Sequence, residues 1–559
     1  MAGLVAAFLS PGFLIYAFSI LLVTNAVVYL VATLRPKAFP PGPRGLPGFG
    51  NLLQLNRAFP YLTLSEWAKY YGKDTPIGVK KGASNVVVLN SGRLVRELFD
   101  QRGAVYSDRP WQYMNNTWVF KDDIRAAIQQ NNSAWLTLWR KEFTSNFGQA
   151  AVTRHRPIYD AETARLLVKL LESPNARKKD LETILVCWMM SAPTLGVCGR
   201  RPDGMEDLGF FVEDFIHCSD EYSALTAPHP RDVFPLLQYL PEFFGMAEWK
   251  IRARALRETV IGMGTKFVNA AEQQREALDA GKPIGWESVL ARMLKQRREK
   301  KEYMFTTKDI GNTAFHTMAT GWATSLATLT TILMLLAKDP ELQQKMRNEV
   351  LEVTGGATPK PADVPKLKYM EAFWYEAHRW RPVAPQAFPH ATSQDDIYNG
   401  FRIPRGTAVI ANVWNIHHSE EDYEEPEKFI PERFLRHPFG MRSHEGTHDP
   451  ARLEASGARV TYDFGAGRRI CPGMYLAKHS VLLGLAKMIW AFDILPPKGK
   501  EIDLDLETGY IQEVALRPKD FDVSFRLRVG RAPEDITNHY SQAYEAEAKV
   551  MGWEDGQFK

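Results

Sequence analysis

The chain has 559 residues, 45% of them hydrophobic, and 69 basic against 65 acidic side chains leave a net charge of +4. A chain this long and apolar can bury a large core, and length alone suggests three or four domains, yet no internal repeat, low-complexity tract or Gly/Ser linker divides it. The mild charge argues against nucleic acid as a partner; four scattered cysteines (Cys187, Cys198, Cys218, Cys471) without CxxC spacing argue against a zinc module or a disulfide framework and suit a reducing compartment.

Residues 1–34 carry no charged side chain, and Phe13–Leu34 is long enough to cross a bilayer, which takes ~20 residues. A signal peptide is the competing reading, but there is no basic leading segment, the run is too long and no small-residue cleavage site follows. Arg35, Lys37 and Arg44 come just after, which predicts a retained single-pass anchor with the rest of the chain on the cytosolic side. Prolines from Pro40 to Pro47 give a stiff spacer, residues 35–48. Tyr61 to Tyr71 has helical spacing, Asn85–Leu89 reads as a strand, and Ser91 is placed to cap the next helix. Ser133–Lys141 reads as an amphipathic helix with Trp135 and Trp139 on it and Arg140 on its basic edge.

From Ile158 to Leu290 the pattern is helical, interrupted by the proline-rich loop Pro228–Pro235. Phe210, Phe211, Phe215, Phe234 and Phe244 read first as core. Asp309 to Ala337 is a long apolar helix stopped by Asp339-Pro340. Its centre holds Gly321, Thr324 and Ser325, and Thr324 taken alone is a helix threonine bonded back to its own backbone. Phe315, Met318 and Trp322 form a stripe along it. Tyr369 to Trp380 places Glu376 and Arg379 on one face, which without context is a weak surface ion pair. Tyr398–Pro404 with Thr407–Ala411 reads as a β-hairpin joining the small sheet, Ile511 to Leu527 as a terminal hairpin, and 531–559 as a polar surface extension. These elements predict a mainly α fold with small β-sheets (α+β), one anchor helix in front of it, and a catalytic domain over 49–530.

The chemistry concentrates in Phe464-Gly-Ala-Gly-Arg-Arg-Ile-Cys471-Pro-Gly473. Gly465, Gly467 and Gly473 let the backbone turn tightly and approach something flat and bulky. A helix reads from Met474 to Phe492, so Cys471 faces the positive end of its dipole, and Arg468 and Arg469 add charge. Both effects favour a thiolate, hence a metal ligand or a nucleophile; a buried structural cysteine is the plainer reading of a lone thiol.

The order Phe464, Gly467, Arg469, Cys471, Gly473 resembles the haem-binding loop of the cytochrome P450 family, in which a cysteine thiolate holds haem iron and favours O–O cleavage. Glu376-x-x-Arg379 followed by Pro431-Glu-Arg433-Phe434 resembles a second signature of that family. The resemblance implies haem b with Cys471 as axial ligand, Phe464 packed beneath the ring, and Arg469, His390 and Trp135 on its propionates. Arg140 stands one residue late for the family's arginine, and Trp139 takes its place; one residue is ~100° of helix rotation. The resemblance also implies a buried Glu376–Arg379–Arg433 lock, a pocket strand over Val383–Phe388, and an oxygen-handling helix with Gly321, Thr324 and Ser325. Gly321 would leave room for dioxygen and loosen that helix. The family's usual acid is replaced by Ala323, which leaves the proton route open: Thr324, Ser325 and water, or an acid from elsewhere. As a member of this class the chain would be a monooxygenase of the endoplasmic reticulum, fed electrons from NADPH through the FAD and FMN of a cytochrome P450 reductase and oxidising an apolar small molecule. Leu46–Leu52, Ser107–Pro110 and Pro389–Thr392 are most similar to the fungal branch containing O-methylsterigmatocystin oxidoreductase, which works in secondary metabolism. Alternatives are a redox-neutral or peroxide-driven haem-thiolate reaction, signalled by Ala323, and a haem sensor without turnover.

Overall fold

The computed structural model describes residues 11–559 except 122–123, 175–177, 227–229, 235–236, 239–246, 443–452, 455–456, 497–498, 500, 520–521, 555–556 and 559. Phe244 and part of the Pro228–Pro235 loop therefore lie outside the described residues.

Three described helices are long and apolar enough to cross a membrane. Two are mostly buried by the rest of the chain, and only the first, α1 (Pro11–Ala32), turns its apolar side chains outward. It ends against the body: the Tyr29 hydroxyl donates to Gly48 O (2.6 Å), and Phe234 packs on the rings of Tyr29 and Phe49.

Helix α2 (Pro60–Tyr71), with proline in its first turn, leads into the antiparallel pair β1 (Ile77–Lys81) and β2 (Ser84–Leu89). Ser91 caps the following turn by accepting from Leu94 N. The sheet order is β1-β2-β6-β3, with β3 at His390–Ala391 and β6 at Ala408–Ala411 parallel to β2. The expected hairpin across 398–411 is replaced by a shorter one, β4 (Asp396–Tyr398) to β5 (Phe401–Ile403). Asn399 and Gly400 both have positive φ there, the turn that matches strand twist in a two-residue hairpin, so the chain reverses early and β6 is free to join the larger sheet. At the C-terminal end, β8 (Tyr510–Gln512) and β9 (Leu516–Pro518) form a hairpin. By contrast β10 (Ser524–Leu527) pairs with β7 (Phe492–Leu495), so the terminal hairpin is shorter than 511–527.

The helical body comprises α3 (Ala134–Phe147), α4 (Arg156–Glu172), α5 (Lys178–Cys198), α6 (Val212–Thr226), α7 (Ala247–Asp279), α8 (Thr307–Lys338), α9 (Lys368–Trp380) and α10 (Met474–Ala491). Its axis is α8, which begins in a reciprocal cap: Thr306 N donates to Asp309 and Asp309 N to Thr306 Oγ1, both 3.0 Å. Where α7 crosses α8, Gly264 and Gly311 meet, and a Cβ on Gly311 would lie 2.6 Å from Gly264 O. The absence of side chains there lets the two backbones touch.

Residues 533–551, read from sequence as part of a polar surface extension, form helix α11 (Pro533–Met551) laid along α4. Ile536, His539, Ala543, Glu547 and Met551 recur at helical spacing and are buried, so one face of the helix is packed, with two polar side chains on it. Arg201 bonds Glu162 of α4 (2.6 Å) and Glu547 of α11, with its guanidinium over the rings of Tyr544 and Trp553. Lys487, wholly buried on α10, donates to Asp160 Oδ1 (2.6 Å), which also faces His539 at 3.6 Å. Two charged nodes thus fix α11 to α4 and, through Lys487, to the helix that begins beside Cys471.

Candidate active site

Cys471 sits at the entry to α10. Its backbone N donates to Phe464 O (2.8 Å), closing the intervening residues into a tight loop. Gly465 and Gly467 take φ of 74° and 60°, the left-handed region in which a side chain is strained, and a Cβ on Gly467 would overlap the Phe99 carbonyl oxygen. Asp100 accepts from Gly467 N at 2.8 Å. Gly473 has ordinary φ (−93°), and a Cβ there would make only ordinary contact with the Cys471 sulfur at 3.9 Å, so the conformational need expected of it is absent. Phe464 packs beside Trp374 and His378.

The electrostatics of the thiol differ from the sequence expectation. Burial pushes the Cys471 thiol up; the amides of Gly473 and Met474, which point at the sulfur, and the charge of Arg140 only partly oppose this. Arg468 is exposed, and Arg469 is turned onto backbone carbonyls, so neither supplies the expected charge. An electropositive metal at the sulfur would supply the missing stabilisation by displacing the proton.

Around the loop lies a rim of cations. Arg140 donates to Ile470 O (2.6 Å), next to the cysteine, so its offset from the expected position still brings it to this site. Trp139 is instead hydrogen-bonded to Thr313 of α8 (3.2 Å). Arg469 donates to Ser107 O (2.8 Å), Ala127 O (3.3 Å) and Gln130 O. Arg109, not foreseen, reaches Ile128 O (3.0 Å), Phe388 O (3.0 Å) and Pro389 O (2.6 Å). Burial, and then the neighbouring guanidiniums, push Arg109 and Arg469 below their ordinary values. His390 stacks on Phe99 with ring centroids 3.9 Å apart and places Nδ1 2.7 Å from Tyr106 O. Burial and the charge of Arg109 hold it neutral, so Nδ1 carries the proton and Nε2 only accepts. His390 thus pairs with a carboxylate only after taking up a second proton, which an arriving anion favours. The indole nitrogen of Trp135 is buried without an acceptor.

Clustered cations and an orphaned donor are what a dianionic, planar group would neutralise, so the residues fit haem propionates. The donor set agrees: among the described residues no group of three or more His, Cys, Asp or Glu side chains is placed to hold a metal ion. A single thiolate suits an iron whose other ligands come from a macrocycle.

Helix α8 is buried on both sides of a short accessible stretch that contains Thr320, Gly321, Ala323, Thr324 and Ser325. The expected loosening at Gly321 is absent. The helix runs unbroken, and a Cβ there would meet nothing nearer than Pro193 at 4.0 Å, so the site has open space without a break in the helix. The Thr324 hydroxyl donates to Thr320 O (2.9 Å) and that of Thr320 to His316 O (2.6 Å). Both are held by their own backbone and offer lone pairs to the space beside them.

Behind the loop Glu376 is fully buried and accepts from Arg379 Nε (2.7 Å) and Nη2 (2.8 Å), Arg433 Nε (3.1 Å) and Ile430 N (2.8 Å). Arg379 also donates to the carbonyls of His417, Pro426 and Lys428. A second staple, not foreseen, joins the same helix to the loop: Asp463, adjacent to Phe464, accepts from His378 Nδ1 (2.6 Å), Val383 N (2.9 Å) and Ala384 N (2.8 Å). Its signal lay in His378, inside the Glu-x-x-Arg run. Arg109 lies in the Ser107–Pro110 run, which gave it no role, because its partners are carbonyls of other segments.

A family model described as Cytochrome P450 matches residues 40–525. A cytochrome P450 monooxygenase of a Penicillium species, grgG, is 67% identical over the whole of both chains. Others include the cytochrome P450 monooxygenase patI of Penicillium expansum, 29% identical over 95% of this chain and 97% of that one. The cytochrome P450 monooxygenase atE of Aspergillus terreus is 30% identical over 95% of each.

Proposed function

The chain belongs to the cytochrome P450 family, and on that premise we propose that it is a membrane-anchored monooxygenase that places one oxygen atom from O2 on an apolar small molecule of secondary metabolism. The supporting observation is the single cysteine sulfur faced by two helix-entry amides and by Arg140, beside a loop rimmed with buried arginines that are held on backbone carbonyls. When bound there, haem b supplies the oxygen-activating chemistry and receives electrons originating in NADPH from a flavoprotein reductase. Cys471 would hold its iron through the thiolate, Arg109, Arg140, Arg469 and Trp135 would bind its propionates, and Phe464 would support the ring.

The other residues act by placement. Gly321 and Ala323 keep the middle of α8 low, so that a reacting carbon comes close to the oxygen site. Thr324 and Ser325 accept hydrogen bonds from water there and hold it in line for proton transfer, which replaces the carboxylate absent at Ala323. Glu376, Arg379 and Arg433 position the loop and touch no substrate. Residues 1–34 anchor the chain to the endoplasmic reticulum, 35–48 act as a hinge, and 49–530 with the docked α11 form the catalytic body facing the cytosol. The three relatives named above are fungal enzymes, which supports a role in a fungal pathway.

The test is co-expression with a reductase in a fungal host fed candidate metabolites under 18O2. Products carrying one labelled oxygen are expected. Unlabelled products from a haem-loaded protein would instead favour the redox-neutral or peroxide-driven reading.

A further inference from the structure

His316 and Asn312 lie one and two turns before Thr320 on α8. Spacings of four, seven and eight residues put Thr320, Ala323 and Thr324 on the same face as His316, the face that carries the accessible stretch of the helix. His316 Nδ1 lies 3.1 Å from Asn312 O, which only accepts, so Nδ1 bears the hydrogen and Nε2 a lone pair. Asn312 donates its amide to Arg125 O (2.7 Å), which fixes its Oδ1 as a second acceptor. Both Nε2 and Oδ1 are buried and have no hydrogen-bond partner. His316 is 4% exposed and Asn312 2%. The surroundings are aromatic: Phe120 at 5.0 Å, Tyr222 at 5.5 Å and Phe315 at 5.6 Å from the His316 ring.

Two unmet acceptors one helical turn apart, one of them boxed by aromatic rings and neither bonded to a donor among the described residues, ask for a ligand that brings hydrogens. A buried polar atom left without its partner is costly, and a site with such an atom discriminates strongly in favour of the ligand that satisfies it. We propose that His316 and Asn312 are specificity-determining residues that accept hydrogen bonds from a free hydroxyl of the substrate, which makes the substrate an aromatic molecule of the phenol class. Burial lowers the His316 imidazole to about 4, so it stays neutral and able to accept across the physiological range. Entry of the ligand then requires the Phe120 ring, 5.0 Å from that of His316, to turn aside. The proposal rests on the monooxygenase reading only in taking this face of α8 as the substrate wall.

The experiment is calorimetric titration of the haem-loaded full-length chain with 2-naphthol and with its methyl ether, which has the same rings and lacks the donor. Because the heat signal needs no turnover, haem content measured separately tests the monooxygenase reading. The wild type is expected to bind the naphthol about tenfold more tightly than the ether, the worth of one buried hydrogen bond. His316→Phe, which keeps the aromatic packing, should bring the two affinities together without weakening the ether, and His316→Gln, which keeps an acceptor, should retain part of the preference. Equal affinities in the wild type, as when water already fills the acceptors, no binding of the naphthol, or an unchanged preference in His316→Phe overturns the proposal.

Discussion

Arg109 shows how a single side chain in a loop comes to matter. Its guanidinium is spread over three carbonyls, and the nearest charges that act on it are other arginines. Leucine there would remove one of the cations that await an anion. The expected result for Arg109→Leu is several-fold less haem per mole of purified protein, with Arg109→Lys intermediate because an ammonium lacks the planar fork; haem extraction and quantification measure it. Gly467→Ala makes the opposite kind of change, adding one carbon where Phe99 O already stands and φ is positive. Strain of about 1–3 kcal/mol at that residue should loosen the loop and lower the melting temperature of the haem-loaded protein. An unchanged melt would show that the loop can shift away from Phe99.

Elements are joined by charge as well as by apolar packing. Glu376→Ala leaves Arg379 and Arg433 buried with no carboxylate between them. A loss of about 3–5 kcal/mol follows, readable by denaturant titration. The α11 node is a milder case with a pH signature. Burial, and then the neighbouring Glu162 carboxylate, hold Glu547 well above its ordinary range against the pull of Arg201 and Arg165. A carboxyl raised in the folded state contributes stability fully below the unfolded value and loses it as pH rises through the folded one. Wild-type stability should therefore fall as pH rises above about 4.5, and Glu547→Gln, neutral at every pH, should flatten that slope; equal slopes in the two proteins would remove Glu547 as the cause. Periodicity made α2, α8, α9 and α10 legible to within a residue or two, because each has an apolar stripe and a cap or a proline at its ends. The hairpin at 396–403 was misplaced because a two-residue Asn399-Gly400 turn outweighs strand pattern. The buried face of α11 was hidden because Glu547 and His539, core residues in fact, count as polar.

On the scale of the whole molecule, local motifs marked the cysteine loop and the Glu–Arg lock, whereas the cationic rim could not be read without the fold. Ser107, Ala127, Gln130 and Ile470 carbonyls converge on Arg469 and Arg140 from separate segments. The apolar exterior of α1 gives the molecule its one outward-facing hydrophobic helix among the described residues. A chain begun at Arg35 should shift substantially from the membrane pellet to the soluble fraction while keeping its haem. Sedimentation and absorbance of the same fractions decide this; full retention in the pellet would place the attachment in the body.

The strapping of α11 onto α4 also sets an order of events during synthesis. Some 360 residues separate the two helices along the chain. At ~5–20 residues per second, α4 has left the ribosome roughly 20–70 seconds before its partner does. Throughout that interval Glu162 has neither Glu547 nor the rings that box Arg201, and the side of α4 that α11 covers is bare. The nascent chain is then most exposed to chaperones and proteases. A stop codon at the start of α11 would leave every motif for haem in place and still deliver a protein whose α4 has lost its cover.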